Sequence, residues 1–309
     1  MTTPVDKAAE GPAPSAAAPP SHTIQAIPVR HYGRWVSAVA VIAGLIALGI
    51  AFGNGKIVWA TTREYLFNSE ILAGTGNTLL ISVISMALGL LLGVLSAVMR
   101  MSGNPVMSAV AWLYIWIFRG TPVLVQLLIW WNMALIFPTM FGQDTNEVIT
   151  PLVAALLGLG INEGAYMAEI VRAGIQSVDE GQTEASQALG MSKGQTMRRV
   201  VLPQAMRVIV PPTGNEYINM LKTSSLAFVV TYPELMLKVQ NVYTNNLAVM
   251  ELLFAACFWY LVLTTVFSIG QFYLERHYAR GSSRNLPSTP LQKIKANLFS
   301  LRRNSGGAA

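Results

Sequence analysis

Cysteine, histidine and charge are all scarce in this 309-residue chain, and each scarcity closes off a class of chemistry. The single cysteine, Cys257, lies in an apolar run and forms neither an internal disulfide nor a thiolate metal cluster. His22, His31 and His277 fall outside the apolar segments, which leaves no histidine relay or ligand set at membrane depth and no metal site. No stretch has the phosphate-binding spacing GxxxxGK followed by Ser or Thr; Gly53-Asn54-Gly55-Lys56 and Gly190-Met191-Ser192-Lys193 both fail it. Any ATP chemistry must therefore come from a partner, and the chain is not expected to be an enzyme. An intramembrane hydrolase is excluded too, because no nucleophile has a base beside it and Glu163 and Glu169, six positions apart, do not share a helix face.

Charged residues make up only 12% of the chain and apolar ones 53%, too little polar surface to coat a soluble globule of this size. A net charge of +6 would suggest nucleic acid if the basic residues formed one patch, but they are dispersed. What is present is a series of long apolar runs, each near the roughly 20 residues a helix needs to cross hydrocarbon. They lie at about residues 35–52, 75–99, 109–137, 149–171, 205–231 and 248–273, giving an all-α integral membrane protein with six transmembrane helices. The third run carries Pro122 and the fifth carries Pro211, Pro212 and Gly214, so helix breaks or tilts are expected at both places. Residues 1–33, rich in Ala, Pro and Ser at the start, read as a disordered tail; 34–53 is a retained first span, not a signal peptide. The tail 276–309 is basic. Trp59, Trp112, Trp116, Trp130 and Trp131 sit near span ends, where membrane anchoring is favoured over ligand stacking.

Orientation follows from the basic residues. Arg100, Arg172, Lys193, Arg198, Arg199, Arg207, Arg276 and the arginines and lysines of both tails fall on one side of a six-span chain, whereas loop 138–150 has none. That side is the cytoplasm, with both termini in it, the membrane being the inner membrane of a bacterium.

The longest polar stretch between two spans is 176–204. Ser177-Val178-Asp179-Glu180 and Ser192-Lys193-Gly194-Gln195 both fit capping boxes, and Gly190 suits a helix stop. The pattern predicts two short helices meeting at a sharp bend, with Ala185, Ala188, Leu189 and Met191 as contact points. Taken alone it fits equally a docking elbow and an amphipathic hairpin lying on its own bundle or on lipid.

Further motifs resolve that choice. Gly76-Asn77-Thr78-Leu79, Phe118-Arg119-Gly120-Thr121-Pro122 through Gln126, Gly164-Ala165-Tyr166-Met167-Ala168-Glu169-Ile170-Val171-Arg172, Glu184-Ala185-Ser186-Gln187-Ala188-Leu189-Gly190 and Leu202-Pro203-Gln204-Ala205 occur in order. Together they resemble the inner-membrane permeases of ABC importers, specifically the polar amino acid group (histidine, glutamate, glutamine or arginine type), over about 74–275. Ser186 stands where the family has a second Ala, and Leu221-Lys222-Thr223-Ser224 lacks the Asp or Asn that the family more often carries between Lys and Thr.

The resemblance implies a type I importer core with cytoplasmic coupling helices: a second permease subunit, the same or related, two cytoplasmic ATPase subunits that hold ATP and Mg, and an extracytoplasmic solute-binding protein. Glu184, Ala185, Ser186 and Gly190 would form the ATPase-coupling loop. Charges at membrane depth need partners or a wet path, since each costs roughly 2.5–3.5 kcal/mol by insertion scales. Glu163 and Glu216 are candidates for the translocation path, with Asn215 and Thr223 either joining them or satisfying helix carbonyls. Arg119, Glu169 and Lys222 read as structural charges. A secondary transporter or channel is the alternative; it would make no use of an ATPase-docking elbow, and the sequence shows no internal repeat. The transported amino acid is not legible here.

Overall fold

The computed structural model describes residues 32–278; the expectations for the two tails lie outside them. The chain divides into two units, residues 1–56 and 57–309. In the first, α1 (Tyr32–Gly53) is apolar from Trp35 onward, with its large apolar side chains exposed.

In the second unit a short helix, α2 (Trp59–Leu66), precedes the long α3 (Ser69–Arg100), which Asn68 caps by accepting from the Glu70 N–H at 2.8 Å. Asn104 caps α4 (Pro105–Gly120), and α5 (Val123–Trp131) follows after two residues. A two-stranded hairpin, β1 (Thr139–Met140) and β2 (Gln143–Asp144), turns through Phe141 and Gly142, both with positive φ (52° and 81°) as a two-residue hairpin loop requires. The one-turn α6 (Thr145–Val148) leads to α7 (Pro151–Gln176), capped by Thr150 with Pro151 in its first turn.

Helices α3 and α7 form the centre of this unit, and glycines on both allow the approach. A Cβ on Gly89 would lie 2.6 Å from Glu163 Cγ, and one on Gly93 would fall on Met167 Cβ and 3.0 Å from the Ala168 nitrogen. Where the surroundings are as apolar as the side chains, this close backbone packing replaces the hydrophobic effect as the force between helices. On the outer faces Val83, Leu91, Leu95, Leu261 and Val266 are exposed, as suits helices surrounded by lipid.

After α7 come α8 (Glu180–Ala188) and α9 (Lys193–Thr196). A π-helical turn over Met197–Val201 joins α9 to α10 (Leu202–Thr223), and a 3-10 segment, Ser224–Val230, closes the run. Two sequence expectations change here. The second short helix is not separate: α9, the π turn and α10 keep right-handed helical backbone at each junction. Nor does α10 break at Pro211 and Pro212, which lie inside it. The Gln271 amide from α12 (Val249–Tyr278) donates to the Pro211 carbonyl at 2.7 Å, and Thr213 Oγ1 donates to the Ile209 carbonyl at 2.8 Å. Gly214 makes room for that amide, since a Cβ there would overlap Gln271.

The helix α11 (Leu235–Asn246), absent from the sequence reading, is capped by the fully buried Glu234, which accepts from Met236 N–H, Leu237 N–H and Tyr260 O–H, each at 2.8 Å. Burial pushes the Glu234 carboxyl up to about 7, against the pull of those three donors.

Among the described residues four helices are long and apolar enough to cross a membrane: α1, α3, α7 and α12. The pair α4 and α5, bent by 102° at its break, makes a fifth; α10 is not among them. Its polar residues, Arg207, Thr213, Glu216, Asn219 and Thr223 among them, dilute its apolar character.

The glycine contact gives a direct test. Gly93→Ala should lower the thermal midpoint of the purified protein, by the equivalent of about 1–3 kcal/mol for overpacking against backbone that has no room to move. Gly76→Ala, where a Cβ meets nothing within 4 Å, should leave the midpoint unchanged or raise it slightly through better helix propensity. Equal effects of the two changes would contradict the packing account.

Candidate functional site

The site is built around the break between α4 and α5. Pro122 disfavours helical backbone at Thr121, which is extended at φ −119° and ψ 146°, so the chain leaves one helix and enters the next at a steep angle. Carbonyls at such a break lose their helical donors. Two side-chain amides replace them. Asn162 Nδ2 from α7 donates to the Phe118 carbonyl at 2.7 Å and to Gln126 Oε1 at 3.2 Å. Gln126 Nε2 donates to Thr121 Oγ1 at 2.8 Å and to the Phe118 and Thr121 carbonyls, both at 3.1 Å. Gln126 is buried, and the Thr121 hydroxyl in turn donates to the Ile117 carbonyl at 2.8 Å.

Beside this clamp lies a cavity of about 440 Å3. The break contributes Arg119, Gly120, Thr121, Pro122 and Val123. Helix α7 contributes Leu159, Asn162, Glu163 and Tyr166, and α10 contributes Glu216, Asn219, Met220 and Thr223. Glu163 is only 6% exposed, and its Oε1 has no hydrogen-bond partner among the described residues. A buried acceptor left open in this way is uncommon in folded proteins and points toward a ligand or water.

The structure therefore brings together Glu163, Glu216 and Thr223 from the sequence-predicted path. It leaves Asn215 out: that residue is exposed and absent from the cavity wall, one position off the face that carries 216, 219 and 223. Of the charges read as structural, Glu169 pairs with Arg172 at 2.5 Å, and Arg172 also donates to Gln176 at 2.8 Å. Lys222 is exposed and pairs with no acid among the described residues. Arg119 makes no ion pair among them either. Its guanidinium lies 5.1 Å from the centroid of the Tyr166 ring, and it lines the cavity. Sequence reasoning missed Asn162 and Asn219, neutral residues with no motif of their own, and the clamping role of Gln126.

The second cluster is the polar stretch after α7. Here Ser177 does not open a capping box; it ends α7, donating to the Gly174 carbonyl at 2.7 Å, and Asp179 caps α8 by accepting from the Gly181 N–H at 2.8 Å. Helix α8 ends at Gly190, whose φ of +80° is the left-handed conformation glycine allows. Gly190 N–H donates to the Gln187 carbonyl and Met191 N–H to the Ser186 carbonyl, the paired bonds of a Schellman stop. The box at Ser192 and Gln195 forms in both directions. Ser186 is buried; its hydroxyl reaches the Thr183 carbonyl at 2.8 Å and Thr196 Oγ1 at 3.0 Å, tying α8 to the helical run that continues into α10. Glu184, Ala185, Ala188 and Gly190 are exposed, and Leu189 is 83% exposed. The result is an elbow with a fixed inner hinge and an open outer surface.

Comparison with known proteins sets the chain in a family. Residues 89–280 match the binding-protein-dependent transport system inner membrane component. The arginine transport system permease of Corynebacterium glutamicum is 48% identical over 293 residues, spanning 92% of this chain and 92% of that protein. The glutamine transport system permease of Escherichia coli K12 is 36% identical, spanning 67% of this chain and 91% of that protein. The crystal structure of an amino acid ABC transporter with histidines superposes with a TM-score of 0.65 at 34% identity, covering 72% of this chain and all of that one. An inward-facing methionine ABC transporter, at 21% identity and a TM-score of 0.52, shares the fold, over 67% of this chain and 95% of that one. This helical membrane protein, with the fold of type I ABC importer permeases, belongs to the family of inner-membrane components of binding-protein-dependent transport systems.

Proposed function

We propose that this chain is the permease subunit of an ATP-driven importer of polar amino acids, working by alternating access in a bacterial inner membrane. The observation that carries the proposal is the near end-to-end similarity to an arginine transport system permease, seen together with a cavity that holds two carboxylates at membrane depth. Six spans account for the fold on this reading: α1, α3, the broken pair α4 and α5, α7, α10 with its 3-10 extension, and α12. The core is 74–275, with 34–53 as an additional span and 1–33 and 276–309 as tails. The distribution of basic residues supports a cytoplasmic placement of the elbow and of both termini.

A second permease subunit, two ATPase subunits carrying ATP and Mg, and an external binding protein complete the assembly. The elbow, with Glu184, Ala185, Ser186 and Gly190, docks on the ATPase. Its exposed Leu189 and small residues suit a groove on a partner, and its tie through Ser186 and Thr196 suits transmission of force. The cavity takes the substrate: Glu163 and Glu216 outnumber Arg119 on its wall, which favours an amino acid with a cationic side chain. A secondary transporter, the rival reading, would make no use of the elbow.

Two variants test this. Gly190→Leu forces a branched residue into a left-handed conformation at a strain of about 1–2 kcal/mol. ATP-driven uptake should fall sharply while membrane insertion persists, and unchanged uptake would remove the coupling role. Glu163→Gln keeps the shape of the cavity and removes a group able to carry a negative charge opposite a cationic substrate. The KM for a cationic amino acid should rise about tenfold or more, in line with the ~1.5–3 kcal/mol of a charged hydrogen bond. An identical uptake profile would relegate Glu163 to structure.

A further inference from the structure

Arg119 stands in the wall between two hollows. One is the cavity just described; the other, of about 520 Å3, is bounded by Arg100, Trp116, Glu169 and Arg172. The guanidinium lies 5.1 Å from the Tyr166 ring centroid and within electrostatic reach of Glu169, but it forms no ion pair among the described residues. Its N–H edge, a rigid fork of five donors that matches a carboxylate, makes no hydrogen bond to an acid among the described residues. Of the residues lining the cavity, Arg119 is the one cation, while Glu163 presents a buried and unpartnered acceptor. The break adds to the positive end: α5 starts behind Pro122 with no side-chain cap, so the first-turn N–H groups at Val123 carry their partial charge uncompensated by any side chain. The cavity is thus polarised, with donors at the break and acceptors on α7 and α10.

We propose that Arg119 reads the α-carboxylate of the transported amino acid, so that the substrate lodges with its carboxylate toward the break and its cationic groups toward Glu163 and Glu216. The inference rests on the reading of this cavity as the substrate site. A bidentate contact between guanidinium and carboxylate fixes orientation as well as charge. Because Arg119 also forms the wall of the second hollow, the same contact sets the substrate against the partition it has to cross.

The test compares arginine with agmatine, which is arginine without its carboxyl group. Binding of radiolabelled arginine to the full-length permease in lipid nanodiscs is measured, with agmatine as competitor. The wild-type chain should prefer arginine by at least about tenfold, the range expected for a charged hydrogen bond. Arg119→Gln should bring that ratio near one by weakening arginine alone, agmatine binding being undiminished, and Arg119→Lys should restore part of the preference. Glu163→Gln should weaken both ligands. If Arg119→Gln leaves the ratio unchanged, or lowers both ligands in parallel as a structural defect would, the carboxylate role is overturned and the cavity reading stands. Should the wild-type chain bind neither ligand, the cavity reading falls and this inference with it.

Discussion

Backbone polar groups inside a bilayer have no water to turn to, so a chain that interrupts a helix there must supply the missing partners itself. At residues 120–123 this requirement is met by two amides. Asn162 and Gln126 cover the Phe118 and Thr121 carbonyls, and because Gln126 Oε1 also accepts from Asn162, the two side chains hold each other as well as the backbone. With those carbonyls covered, α4 and α5 meet at 102° and the space between α5, α7 and α10 stays open. Left uncovered, each carbonyl would cost several kcal/mol in hydrocarbon, and straightening the pair would carry Arg119 and Val123 away from Glu163. The cavity, its polarity and the position of Arg119 follow from this one clamp.

A second constraint links that cavity to the elbow. From Lys193 to Thr223 the backbone is helical without interruption, so the elbow's inner hinge and the cavity residues Glu216, Asn219 and Thr223 ride on one rod. The rod has two soft places, the π turn at Met197–Val201 and the prolines at 211 and 212. The second is braced from another helix, by Gln271 across Gly214, whereas the first is held locally, by Gln204 Nε2 donating to the Val200 carbonyl at 3.0 Å. On the transport reading, motion imposed at α8 passes through the Ser186 and Thr196 hydroxyls into this rod and emerges at the substrate. A π turn near its driven end is a place where small changes of register are absorbed.

Much of this was visible in the sequence, and the failures have physical causes. Apolar runs located five of the described spans because hydrocarbon thickness leaves a strong signature. Gly190 and the Ser192 box were legible because left-handed backbone and N-terminal caps are local chemistry. Pro122 broke its helix as expected, yet Pro211 and Pro212 did not, since the outcome depended on an amide 60 residues away in the chain. At Ser177 the local rule misassigned the cap because Asp179, two residues on, offered a better-placed acceptor for the first free N–H of α8. Helices α2 and α11 escaped notice because both are short and neither is a long apolar run; their packing on α12 and α3 is tertiary. Asn215 and Glu216 were both named for the path, and of the two only Glu216 lines the cavity. Helical phase, not residue type, decides which of 215 and 216 faces the cavity.

The central claim, that the two amides act as one unit to hold the break open for substrate, is tested most directly by a double-substitution cycle. Gln126→Leu, Asn162→Leu and the pair together are assayed for substrate uptake in the assembled transporter, with thermal stability of the purified permease measured in parallel. The account expects each single change to collapse uptake and the double change to be no worse than the worse single one, because the second amide has nothing left to hold. Additive losses, or uptake that survives either single change, would contradict it.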